Sequence, residues 1–212
     1  MRERPLLNIN RWLILLAFSL TGIQIYLGII SPQYATQELY SEVGLGIEGL
    51  KHGRLWTFLT YAFFHHPFLW HHLVFNILAL LYLGGRIRHI LSPQKSFTIL
   101  TLSILGGGVG ELLSSFFSSE NYPLIGISGG ISGLFSTLVT LSPETKFWPL
   151  PIRGENILKA YVIGSVILTF IPLSWLPEGI PKVGHGCHLG GILVGVLYTK
   201  KLLRIPSVKN LP

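Results

Sequence analysis

Four polar side chains stand near the ends of long apolar stretches, and together they carry the groups that acyl transfer requires. His72 and Asn76 open the stretch 71–91, and Ser128 lies near the start of 124–141, within Gly126-Ile127-Ser128-Gly129. His188 lies near the start of 183–203. A serine hydroxyl becomes a nucleophile when a neighbouring base takes its proton, and histidine is the usual base. Amide and imidazole N–H groups can hold the oxyanion that such an attack creates. Polar and ionisable groups at membrane depth are costly and mark function. The chemistry read from these residues is acyl transfer inside a membrane.

Composition sets the solvent in which that chemistry must work. The 212 residues are 49% hydrophobic and only 12% charged, with a mean hydropathy of +0.54. Soluble domains carry roughly 25% charged residues, so a polytopic membrane protein is expected. The net charge of +7 does not point to nucleic acid, because the cations are distributed unevenly among the loops. With one cysteine, Cys187, no internal disulfide is possible.

Six stretches approach the length needed to span about 30 Å of hydrocarbon as helices: 12–30, 71–91, 97–117, 124–141, 157–175 and 183–203. Helices are required because backbone in lipid must satisfy its own hydrogen bonds. One set of loops and termini carries Arg2, Arg4, Arg11, Arg86, Arg88, Lys95, Lys146, Arg153, Lys159, Lys200, Lys201, Arg204 and Lys209; the other carries only Lys51, Arg54 and Lys182. The positive-inside rule then makes both termini cytoplasmic. The first run has no small-x-small cleavage site at its end and reads as a retained helix. The stretch 31–70, with Trp56, Phe63, Phe64, Phe68 and Trp70, reads as an interfacial, partly embedded outer loop. The expectation is a single all-α membrane domain over 1–212.

In that topology the second, fourth and sixth helices all begin at the outer surface. His72 and Asn76, four apart, share a face; Ser128 is expected about one turn inside its helix, and His188 about a turn and a half. Small-xxx-small stripes, Gly129 with Gly133 and Gly191 with Gly195, let helix backbones approach closely in lipid.

Three motifs in register resemble the rhomboid intramembrane serine proteases. Gly126-Ile127-Ser128-Gly129 is similar to their Gly-x-Ser-Gly, and His72-Leu73-Val74-Phe75-Asn76 to their His-x-x-x-Asn. The run from His188 through Gly191 to Gly195 resembles their His-x-x-Gly-x-x-x-Gly. The resemblance implies a six-helix rhomboid-like bundle in which Ser128 is the nucleophile and His188 the general base. It further implies that His72, Asn76 and the Ser128 backbone N–H line the oxyanion hole. No cofactor and no metal follow from it. The implied partners are transmembrane protein substrates in the bilayer, cut near the extracytoplasmic face after a small residue, and the small size resembles a minimal member of a bacterial inner membrane.

Some residues stay open. Gly130-Ile131-Ser132-Gly133 repeats the serine motif four residues on, and helical geometry does not separate Ser132 from Ser128. The family's continuation after its nucleophile matches Ser128. His185 lies one turn before His188; the glycine spacing selects His188. Family members often carry a further histidine ahead of His-x-x-x-Asn, near His65 and His66, but interfacial histidines reaching to water are the competing reading for these and His71. Trp56-Thr57 stands where many members have Trp-Arg, and Arg86 follows Gly84-Gly85 where a Glu is common. Glu111 is the one carboxylate inside a span, without an assigned role. Two other classes compete: a histidine metal site built from His71 or His72 with His185 and His188, and a non-proteolytic rhomboid-like client binder. The metal alternative leaves Ser128, Asn76 and the glycine register unexplained.

Overall fold

Helix is the one regular element formed among the residues that the computed structural model describes: 11–34, 36–67, 69–117, 122–147, 151–171 and 183–204. In chain order these are α1 (Arg11–Ile25), α2 (Gln37–Val43), α3 (Ile47–Lys51), α4 (Thr57–Thr60), α5 (Trp70–Ile87), α6 (Pro93–Ser115), α7 (Ser128–Leu141), α8 (Gly154–Phe170) and α9 (His185–Leu203). Arg2, Arg4, Lys182, Lys209, Phe68 and the segment 172–175 of the expected fifth span lie outside the described residues.

Local sequence explains several boundaries. Ser92 caps α6 by accepting the Lys95 N–H at 3.4 Å, and Pro93 occupies the first helical position, where a missing N–H costs nothing. Thr36 caps α2 through the Leu39 N–H at 3.2 Å. α1 does not end at Ile25 but passes into a π-helical turn, Tyr26–Ile30. Nearby, Gln24 donates through Nε2 to the carbonyls of His66 and Pro67, at 3.0 and 2.9 Å, which ties α1 to the segment ahead of α5.

The centre of the bundle is α7, buried from Gly129 to Val139 apart from half-buried Phe135. It packs against α6 and α9, which also make the most extensive helix contact of the molecule with each other, and against α5. Glycines make this closeness possible: a Cβ on Gly191 would run into the Gly129 carbonyl, and one on Gly195 into the Gly133 carbonyl. Hydroxyls bind across the same seam, Ser136 to the Ile192 carbonyl at 3.0 Å and Thr199 to Thr137 at 3.1 Å. α8 lies at the periphery, against α9 and α7, with only Gly154 and Ser165 buried.

The periphery is apolar. Leu15, Phe18, Phe75, Leu78, Leu113, Ile163, Ile167, Leu193 and Leu197 all face outward, which a water-soluble monomer rarely tolerates over a continuous surface. Two helical stretches, Arg11–Ile30 and Pro93–Ser115, are long and apolar enough to cross a membrane.

Several expected boundaries change: α5 ends at Ile87 rather than 91, α6 spans Pro93–Ser115 rather than 97–117, and α8 begins at Gly154 rather than 157. The helix expected over 124–141 begins only at Ser128, because Leu124 instead pairs antiparallel with Leu45 (N···O 3.0 and 2.8 Å). Ser128 is therefore the first residue of α7, not one turn inside it. His188 is the fourth residue of α9 rather than a turn and a half in, since that helix starts at His185. The stretch 31–70 folds into α2, α3, α4 and a 3-10 turn at Tyr61–Phe63, more ordered than an interfacial loop implies.

Candidate active site

The turn before α7 is set by Gly126. Its φ of +113° is a conformation that side-chain-bearing residues rarely adopt, and its N–H donates to the Tyr61 carbonyl at 2.8 Å. The chain then enters α7 at Ser128 with no side-chain cap from Ile127. The first N–H groups of a helix have no partner within it, and the helix dipole adds partial positive charge there. Ser128 thus sits where developing negative charge is best tolerated.

His188 reaches Ser128 from α9. Its Nε2 is 2.9 Å from Ser128 Oγ, within the range for proton transfer between a nucleophile and its base. The imidazole is 8% exposed, and its Nδ1 is buried without a hydrogen-bond partner among the described residues. Among the described residues no carboxylate bonds to it. Two rings pack against it: Tyr161 of α8 at 5.5 Å between centroids, tilted 52°, and His185 at 5.9 Å, edge-on at 86°.

His72 and Asn76 enter from α5. The His72 ring lies beside the Gly126 turn, where an added Cβ would stand 3.0 Å from its Cε1. Asn76 is buried, with its Nδ2 3.1 Å from Nε2 of His65; an amide NH₂ carries two donors, so one stays available. His65 packs edge-on against His72 at 5.3 Å and is 2% exposed. Burial, with help from His72, pushes its pKa down to about 3, so it is a neutral spacer holding Asn76. Its backbone carbonyl accepts from the Tyr40 hydroxyl at 3.3 Å.

Ser132 is 3% exposed. Its hydroxyl is committed to the Ser128 carbonyl and the Tyr161 hydroxyl, both at 2.8 Å, and bonds to neither histidine. Cys187 is buried beside Gly129, where a Cβ would strike its Sγ, and its Sγ lies 3.6 Å from the Tyr61 hydroxyl. It fills space between helices. No group of three or more His, Cys, Asp or Glu side chains gathers in metal-ligand geometry among the described residues.

Tyr161, His65 and Glu111 received no role from sequence, although all three touch this constellation. Tyr161 gave no signal, because it belongs to a helix without a motif. The carboxylate of Glu111 in an apolar stretch was a signal without a partner; it accepts the Cys187 N–H at 2.9 Å.

A helical protein with an apolar exterior and two helical stretches long and apolar enough to cross a bilayer falls in the class of integral membrane proteins. The model of the rhomboid domain matches residues 52–205, well over half of the chain, and the protein belongs to the rhomboid family. Members of that family are usually intramembrane proteases acting on membrane-protein substrates within the bilayer, although some are inactive. No curated protein matches the chain.

Proposed function

We propose that the protein is an intramembrane serine endopeptidase, with Ser128 as nucleophile and His188 as general base. The observation that carries this reading is the 2.9 Å contact between Ser128 Oγ and His188 Nε2, joining residues 60 positions apart. The Ser128 hydroxyl passes its proton to Nε2 as Oγ attacks the scissile carbonyl carbon. The resulting oxyanion accepts hydrogen bonds from the Ser128 N–H, the free donor of Asn76, and His72. Collapse expels the amine, which takes the proton back from His188. Water, deprotonated by the same imidazole, then releases the acyl group and restores the serine.

The proposed topology is six spans, α1 and α5 through α9, with cytoplasmic termini. Shared contacts support it: the starts of α7 and α9 meet at Ser128 and His188, and the start of α5 meets the Gly126 turn. The cations Arg86, Arg88, Lys200, Lys201 and Arg204 follow at the far ends of α5 and α9. The 14 residues of α7 extend only ~21 Å, less than the ~30 Å core. Its first residue therefore lies below the outer surface yet close to water, as hydrolysis demands. The substrate would be a transmembrane segment unwound near its extracytoplasmic end.

The test is cleavage of a labelled transmembrane substrate by the purified protein in liposomes. Activity should vanish in Ser128→Ala and His188→Ala and persist in Ser132→Ala and with chelator. Cleavage surviving in Ser128→Ala would remove the dyad, and chelator sensitivity would revive a metal site. A folded wild type that cuts no member of a substrate panel and does not label with a fluorophosphonate would instead be a client binder.

A further inference from the structure

α9 has no cap of its own. Its N-cap residue is Gly184, which offers no side chain to the orphaned N–H groups of the first turn. The acceptor comes from another helix: Glu111, near the end of α6, takes the N–H of Cys187 through Oε2 at 2.9 Å. Cys187 is the third helical residue, whose N–H a capping side chain ordinarily satisfies, and the next residue is His188. A carboxylate there also faces the positive end of the helix dipole.

The surroundings are shaped to this contact. A Cβ on Gly184 would stand 3.2 Å from Glu111 Oε2, so glycine at the N-cap leaves the carboxylate its room. One turn away α6 and α9 meet backbone to backbone: a Cβ on Gly110 would collide with the Gly186 carbonyl, and one on Gly190 with that of Gly106. Such a seam of glycines fixes how near the helices lie but, having no side chains, resists sliding and rotation poorly. The Glu111 bond is a directional tie across it. Cys187 is also held on its far side, by the Tyr61 hydroxyl, which donates in turn to the Ile104 carbonyl of α6 at 2.7 Å.

The geometry points to Glu111 as the positioning residue of His188: by capping α9 from α6, it sets the depth and rotation of the turn that presents Nε2 to Ser128. The role rests on the proposed dyad and requires a hydrogen-bond acceptor at this position rather than a charge. Glu111→Gln, which keeps an amide oxygen, should therefore retain activity within about threefold, less than the roughly fivefold that one hydrogen bond commands. Glu111→Leu should lose kcat by on the order of 10²-fold, the scale of a misplacement of about 1 Å, with KM little changed.

Two further readouts in the same liposome preparations separate outcomes. Amide hydrogen exchange over residues 185–188 should accelerate in Glu111→Leu and stay slow in Glu111→Gln, whatever chemistry the protein performs. Labelling of Ser128 by a fluorophosphonate should slow in Glu111→Leu in parallel with kcat. Wild-type activity in Glu111→Leu, or a Glu111→Gln variant as impaired as Glu111→Leu, overturns the proposal. So does unchanged exchange at 185–188. Cleavage that survives in Ser128→Ala, run alongside, would strike the dyad instead and leave the exchange result to judge the cap.

Discussion

The ring of Tyr161 on α8 packs 5.5 Å from the imidazole of His188 on α9, and no spacing rule in the sequence connects the two. Its hydroxyl is anchored 2.8 Å from Ser132 Oγ, so the least buried of the long helices supplies one wall of the His188 ring. Tyr161→Phe should keep the wall and lose the anchor, costing about 1 kcal/mol, or roughly fivefold in turnover if the whole loss falls on the dyad. Tyr161→Ala should cost more, because the imidazole then loses a packing wall and gains rotational freedom. Steady-state cleavage by both variants checks the order.

Ser132→Ala removes a hydroxyl with two internal bonds and no histidine contact. Thermal unfolding should show a loss of about 1–2 kcal/mol, while catalysis falls no further than in Tyr161→Phe. An inactive but folded Ser132→Ala would contradict the assignment of Ser128.

On the proposed mechanism Asn76→Ala removes one oxyanion donor and should lower kcat by ~10²–10³. It also strips His65 of its hydrogen bond at Nε2, so unfolding should begin at lower temperature. His72→Ala should affect turnover with a smaller structural cost, since its ring packs by contact with His65 and the Gly126 turn. Comparing kcat with melting temperature in the two variants separates the effects.

The buried His65 predicts an acid limit to stability. Its folded pKa, about 3, lies below the ordinary histidine value of 6.5, so the unfolded chain binds the proton more tightly. Its contribution is complete above pH 6.5 and is lost as pH falls from there toward 3, at up to about 1.4 kcal/mol per pH unit. Unfolding measured across that window should be less steep in His65→Gln. An equally steep dependence in that variant would assign the effect to other groups.

Helix glycines should divide sharply. Gly191→Ala drives a methyl into the Gly129 carbonyl and should destabilise the α7–α9 seam and abolish cleavage. Gly22, Gly85 and Gly164 have nothing within 4 Å of an added Cβ. Alanine there should be neutral or stabilise by up to about 1 kcal/mol. Melting temperatures of the four variants provide the check.

Residue order alone determined the helical class, because long apolar runs admit few other backbones in lipid. It also determined which helices carry the polar groups, since Ser128, His188, His72 and Asn76 each sit in a local motif with regular spacing. The glycine stripes were legible for the same reason: a period of four is a statement about one helix face. What needed the tertiary structure were contacts between segments far apart in the chain. Leu45 pairing with Leu124 shortened α7 to begin at Ser128, a boundary that local hydropathy misplaces because residues 124–127 are as apolar as a helix. Glu111 reaching Cys187, His65 reaching Asn76 and Tyr161 reaching His188 likewise depend on which helix faces which. Helical periodicity says which side of a helix is apolar or small, but the neighbour that meets it is chosen only when the bundle packs.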